Sequence, residues 1–398
     1  MKATRLKCLA SVIAGQSPPS EEVVDLEAGM VPFLQGNAEF GPEHPQPRFA
    51  CESAAKHALR GDVLLSVRAP VGALNVADRR YAIGRGLVAI RAKPDMHPRY
   101  LWWVLQGLLD GIRAFANGST YEAVTADDIE SAGLPIWPLA SQQRIGEFLD
   151  AETARIDTLI SKRQRMVGLL EEQMWAGLNE SLRDESAALA PVQLRRVLTR
   201  ITDGPFGSNL KSEHYIATGA RVVRLGNIGK AEFKNEDQAF VSQEHFEGLR
   251  RHAVAPGDLL IAGLGDRANH VGRACVAPAL GPAMVKADCY CARVDRSHAL
   301  PEFVALWLSS PSGEAAVAGA SRGSTRTRIN VDVAKATLIP LVPLERQRMI
   351  VTTWERERQR LRVMTSKITR QIALLKERRQ ALITAAVTGE LDVTMGAA

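Results

Sequence analysis

The sequence predicts an α+β chain in which two duplicated globular domains are joined by two long helices packed antiparallel. Three observations carry this. Segments separated by about 200 residues repeat each other. Each copy ends in a long proline-free stretch with apolar residues every seven positions. The rest of each copy is built of short apolar runs punctuated by Gly, Pro, Asn and Asp, with a few short helical stretches between them.

The repeat is plainest around Gly118-Ser119-Thr120, which returns as Gly323-Ser324-Thr325 at an offset of 205 residues. The same offset aligns LPIWPLASQQRI (residues 134–145) with IPLVPLERQRMI (339–350), matching Pro135 to Pro340, Pro138 to Pro343 and Ile145 to Ile350. Upstream, Gly61-Asp62-Val63-Leu64-Leu65 pairs with Gly257-Asp258-Leu259-Leu260-Ile261 at an offset of 196. At the front, RLKCLASVIAGQSP lies beside QLRRVLTRITDGPF. The opening residues therefore read as part of a repeat unit and not as a cleaved signal. Units of this size are duplicated domains, far above solenoid repeat length.

After Pro138 the chain is rich in strong helix formers. Leu149, Ile156, Arg163 and Leu170 recur every seven residues, with Ile145, Leu159 and Met166 as a second row. In the second copy Trp354, Leu361, Ile368, Leu375 and Leu382 keep the same step, in register with the first at the 205-residue offset. A seven-residue seam specifies left-handed helix pairing. Each helix of about 40 residues would run ~60 Å, and the simplest partner for one is the other. Flanking charges such as Arg163, Arg165, Glu171, Glu172, Arg356, Glu357, Arg358, Lys376, Glu377 and Arg378 read as a solvated face that could also dock another subunit. The division expected is a globular domain 1–140, a helix 141–182, a linker 183–190, a second globular domain 191–342, a helix 343–390 and a tail 391–398.

Within the globular parts, residues 62–67, 86–90 and 221–225 read as strands, and 100–113 and 301–309 as short helices. Several turns join small residues to cations. In the first copy these carry Arg68, Arg79, Arg80 and Arg85, with Ser119 and Thr120; in the second Phe206, Ser208, Asn209, Lys211, Arg224, Arg267, Arg322, Ser324, Thr325, Arg326 and Arg328. Glycine lets a backbone approach a phosphate, arginine forks onto phosphate or guanine, and hydroxyls and amides bond base edges. These are the candidate DNA-binding residues, although the Ser-Thr pairs serve equally well as helix caps.

Other chemistry is missing. The net charge of +6 and pI near 9.1 favour an acidic partner only mildly. The sequence has no GxxxxGK[ST] loop, HExxH, paired CxxC or G-x-S-x-G, and no Asp/Asn-Pro-Pro-aromatic tetrapeptide of an amino-methyltransferase. Gly263-x-Gly265 reads as an ordinary turn. Five scattered cysteines read as reduced thiols of a cytoplasmic protein, and no apolar run reaches the ~20 residues of a membrane helix. No metal, catalytic residue or cofactor is expected on this chain.

With these residues in hand, LPIWPLASQQRIGEFLDAETARIDTLI and ALLKERRQALITAAVTGELDV resemble the two repeated helical regions of type I restriction–modification specificity subunits. GDVLLSVRAPVGALNVADRRYAIGRGLVAIRA and DGPFGSNLKSEHY are similar to stretches of their target-recognition domains, and the likeness covers essentially the whole chain. The resemblance implies two target-recognition domains related by a pseudo-two-fold, each reading one half of a split, asymmetric site on double-stranded DNA. It implies two methyltransferase subunits docked on the chain, with two restriction subunits as an optional further pair. S-adenosylmethionine, ATP and Mg would be bound by those partners. The helix pair would act as a ruler, much as dimeric readers set half-sites ~34–36 Å or multiples apart. Two other readings stay open: the specificity chain of another bifunctional restriction–modification enzyme, and a non-catalytic coiled-coil scaffold that binds protein.

Overall fold

The structure, a computed structural model, describes residues 3–108, 124–186, 189–266, 269–320 and 328–393. The chain forms two compact units, one of residues 1–164 with 369–398 and the other of residues 165–368.

In the first unit, β1 (Ala10–Ala14), β2 (Pro32–Leu34), β3 (Val63–Ser66), β4 (Leu74–Val76), β5 (Tyr81–Ile83) and β6 (Leu87–Ala92) make two sheets. One runs β1-β6-β3-β4, all antiparallel. The other has five strands and includes the parallel pair β2-β5, with Leu34 beside Ile83. The apolar run in β3 follows from burial on both faces. Val63 and Leu65 join the core shared with Tyr100, Leu101 and Val104 of α1 (Pro98–Gly107), whereas Leu64 faces Leu34, Tyr81 and Ile83 of the other sheet.

The second unit repeats the plan. β7 (Leu198–Thr202), β8 (Ala220–Val223), β9 (Leu259–Ala262), β10 (Ala274–Val276), β11 (Ala283–Val285) and β12 (Cys289–Val294) give an antiparallel sheet β7-β12-β9-β10. A second sheet holds the parallel pair β8-β11, with Val223 beside Val285. Leu259 and Ile261 face the core of α3 (Pro301–Ser309), while Leu260 and Ala262 face the other way. Proline at the first position starts both α1 and α3, where its missing N–H costs nothing.

Polar hardware is duplicated too. Buried Asp62 accepts from Leu59 N at 2.8 Å and holds Arg91 at 2.7 Å; buried Asp258 accepts from Ala255 N at 2.9 Å and holds Arg293 at 3.0 Å. Gly61 and Gly257, just before them, both sit at positive φ, 91° and 86°, where a side chain would be strained. Gln142 accepts from His97 N and donates to Trp137 O, both at 2.8 Å. Gln347 accepts from Leu300 N at 2.8 Å and donates to Val342 O at 2.7 Å. Both glutamines are fully buried. Each ties the start of a long helix to the segment leading into α1 or α3.

Those long helices are α2 (Leu139–Ser186) and α4 (Leu344–Thr388). In the first unit, the early part of α2 and the late part of α4 lie together, joined by Arg379 and Asp157 at 3.1 Å. In the second, the late part of α2 meets the early part of α4, with the Trp175 and Trp354 rings 4.4 Å apart. The helices therefore pair antiparallel.

The leading apolar row holds: Leu149, Ile156, Trp354 and Ile368 are buried, and Leu170, Leu361, Leu375 and Leu382 are half-buried. The second row of α2 does not. Leu159 and Met166 are 47% and 39% exposed, and the buried or half-buried positions are Thr153, Ile160, Val167 and Met174. The reason is local. Ile145 is buried against the globular core, so it does not mark the coiled-coil row, and counting in sevens from it lands one position off the seam. Nor is Arg358 a solvated charge, since it pairs with Glu232 at 2.6 Å.

Candidate nucleic-acid interface

Each unit gathers its special turns at one end of its antiparallel sheet. In the first unit β3 ends at Ser66 beside the start of β6 at Leu87. Val67 N donates to Gly86 O at 3.0 Å, and Val124 N donates to Val67 O at 3.1 Å. Arg68 and Arg85 are therefore neighbours in the fold, and both are exposed. β1 ends there as well: a Cβ on Gly15 would lie 2.2 Å from Gly84 O, so this contact requires glycine. Gln35, the residue after β2, donates to Ser17 Oγ at 2.9 Å.

The second unit reproduces this end bond by bond. Gly263 N donates to Asp288 O at 2.7 Å, and Ile329 N donates to Gly263 O at 2.9 Å. Gly204 packs on the Lys286 carbonyl, which a Cβ would meet at 2.2 Å. Arg224 follows β8 as Gln35 follows β2. The side chains differ: Arg224 is ion-paired with Asp237, and Arg328 lies 2.7 Å from Asp288. Asp203 Oδ1 accepts from Gly204 N at 2.7 Å and from Asp288 N at 3.0 Å. Burial pushes its carboxyl up to about 6, against the lowering effect of those two bonds. Beyond it Phe206 is half exposed, and Lys211 is exposed and 3.5 Å from Glu213. Asn209, also exposed, accepts at its carbonyl from the His245 ring at 2.9 Å.

The structure thus brings Arg68 and Arg85 together in one unit, and Phe206, Asn209, Lys211, Arg224 and Arg328 around the equivalent end of the other. It separates Arg79 and Arg80. They lie in the connection before β5, where Ala77 N donates to Asp62 O at the opposite end of β3. Arg79 covers the Tyr81 ring, and Arg80 is 3.1 Å from the His57 ring. Ser119, Thr120, Arg267, Arg322, Ser324, Thr325 and Arg326 lie outside the described residues, as does the side chain of Ser208.

Sequence reasoning missed Ser17, Gln35 and Asp203. The signal was available in part: Gln16-Ser17-Pro18 and Asp203-Gly204-Pro205 follow aligned strands of the two copies.

Charge is unevenly shared. Residues 190–343 hold nineteen Lys/Arg against fourteen Asp/Glu, whereas residues 1–138 hold fourteen against fifteen. Among the described residues no group of three or more His, Cys, Asp or Glu is placed to hold a metal. Burial pushes the Cys275 thiol up to about 12, and those of Cys289 and Cys291 higher, away from thiolate chemistry. No described helix is long and apolar enough to cross a membrane.

A duplicated α+β chain on paired long helices, with like scaffolds and unlike sheet ends, is the class that fold and site define. Comparison with known proteins shows what the chain is similar to. Residues 2–166 match the type I restriction modification DNA specificity domain. The chain is 37% identical over 155 residues to the putative type I restriction enzyme MjaX specificity subunit of Methanocaldococcus jannaschii, covering 39% of this chain and 35% of that one. It is 22% identical over 317 residues to the type I restriction enzyme EcoBI specificity subunit of Escherichia coli, covering 74% and 65%. The chain thus spans about a third of the first relative's length and just under two thirds of the second's. A chain from a structure of complex assembly and conformational transition of the type I R-M system shares the fold. Its TM-score is 0.70 at 20% identity, with 98% of both chains covered. Residues 2–166 are thus similar to the type I restriction modification DNA specificity domain, and the longer matches are to type I restriction enzyme specificity subunits.

Proposed function

We propose that this chain is the DNA sequence-reading subunit of a type I restriction–modification enzyme. Each unit reads one half of a split, asymmetric site on double-stranded DNA with the turns at its sheet end. The observation that carries this is the pair of equivalent sheet ends with one backbone plan and different polar side chains: Gln35, Arg68 and Arg85 in one, Arg224, Lys286 and Arg328 in the other. Equal scaffolds place two readers; unlike side chains let them read different bases. The chain itself is non-catalytic and cytoplasmic. Two methyltransferase subunits supply S-adenosylmethionine and the methyl transfer, and two restriction subunits, where present, supply ATP- and Mg-dependent translocation and cleavage. The helices α2 and α4 set the unread spacer between half-sites.

The test is to sequence host DNA by a method that detects modified adenine, with and without the gene. Loss of methylation at one split, asymmetric motif is the expected result. An unchanged pattern in cells that express the chain and its methyltransferase partner would sink the reading and favour a protein scaffold.

A further inference from the structure

Arg273, the residue before β10, is 3% exposed and faces no carboxylate at ion-pair distance among the described residues. A buried cation is tolerated only when its donors are met. Here they are met by backbone oxygens of two different loops. Nε donates to Ile228 O at 2.7 Å and one terminal nitrogen to Leu225 O at 3.2 Å. The other terminal nitrogen donates to Leu264 O and His270 O, both at 3.0 Å. Burial lowers the guanidinium's pKa, and the charge of Asp266 offsets this only in part.

The two loops are those that leave the sheet end of the second unit. The first, 225–228, follows Arg224 directly. Asn227 within it accepts from Arg224 N at 2.8 Å, and its amide donates to Asp237 O at 2.7 Å. The second follows β9 and holds Leu264 and His270; Leu264 forms a backbone bridge to Arg328. One planar fork thus fixes the segment that follows Arg224 and the Leu264 backbone that bridges to Arg328. Lysine cannot copy this: its single nitrogen has three donors and no planar spread. The first unit has Ala73 at the same point of the sheet, since Ser66 N donates to Ala73 O at 2.8 Å and Ala262 N to Arg273 O at 2.9 Å. There the corresponding loop is held by Asn75, which donates to Gly41 O at 2.9 Å.

We infer that Arg273 is a positioning residue for target recognition by the second unit alone, acting through residues 225–228 and through Leu264 and His270 without touching DNA. The inference rests on the DNA-reading assignment above.

The experiment uses the chain co-produced with its methyltransferase partner and a library of duplexes randomised across both half-sites, scored for the sequences that become methylated. R273K is expected to lower base preference about 10-fold at one or more positions of one half-site and leave the other half-site unchanged. R273M is expected to do so more strongly, and R273K decides the matter if R273M does not fold. Unchanged preferences in R273K overturn the inference, as does a parallel loss in both half-sites, which is what general destabilisation produces. A wild-type complex with no sequence preference at all brings down the recognition reading itself, and the clamp's role with it.

Discussion

The two units share a scaffold and part company at the sheet end. Asp62 and Asp258 have the same backbone and arginine partners, and Gln142 and Gln347 the same hooks. Gly15 and Gly204 make the same forced backbone contact. At the ends of those strands the correspondence stops. Gln35 answers to Arg224, Ala73 to Arg273, and Ala14 to Asp203. Duplication therefore preserved what holds the sheets together and released what lies beyond them. This division lets one chain present two different surfaces without redesigning either core.

If the scaffolds are equivalent, removing the same strut from each should cost the same. Asp62→Ala and Asp258→Ala each strand an arginine and an N–H of the preceding turn. Both arginines are partly exposed, at 38% and 50%, so water recovers part of the loss. Charged hydrogen bonds of this kind are worth about 2–3 kcal/mol, and that is the expected cost in either unit. Urea unfolding of the two variants measures it. Costs that differ by more than about 1 kcal/mol, a large fraction of typical stability, would break the equivalence.

How much of this could be read from residues alone follows from what repeats. Gly61-Asp62 and Gly257-Asp258 were legible because the turn and its cap lie within one short segment. The leading row of the long helices was legible because seven-residue spacing survives in both. The second row of α2 was not, since Ile145 obeys the globular core and the spacing from it misleads. The candidate site was legible only as a set of cationic turns. Local composition gave Arg79 and Arg80 the same standing as Arg85, and only strand pairing puts them at opposite ends of β3 and β5. Gln35 and Arg273 carried no local signal, for each depends on strands far away in sequence.

A difference between the units also appears in their response to pH. Asp203 has a folded-state carboxyl raised to about 6 by burial, above the ~3.9 of an unfolded chain. The folded state therefore holds the proton more tightly. Its contribution is complete below about pH 4 and fades as pH rises through about 6. Asp203→Asn keeps the oxygen that accepts from Gly204 and Asp288 and removes the charge. The variant is expected to unfold at a temperature a few degrees higher than the wild type at pH 7.5, with the gap closing towards pH 4. A gap that widens as pH falls has the wrong sign and would assign the group a stabilising charge. Ala14 gives the first unit no counterpart, so Ala14→Asn should leave this pH dependence in place.

The smallest expected effect concerns DNA charge. On the DNA-reading proposal, the surplus of cations in residues 190–343 gives the second unit the larger expected share of phosphate contacts. Arg85 and Lys286 sit in equivalent turns of the two units, both exposed and neither in an ion pair shorter than 4.0 Å among the described residues. Replacing either by alanine should weaken binding of the assembled complex to all sequences alike and reduce the slope of log affinity against log salt by about 1. Replacing both should reduce it by about 2, because turns in separate units act independently. A change in base preference with an unchanged slope would reassign that residue from phosphate to base contact. It would also turn the comparison around, making these turns, and not Gln35 and Arg224 beside them, the places where the two units differ in what they read.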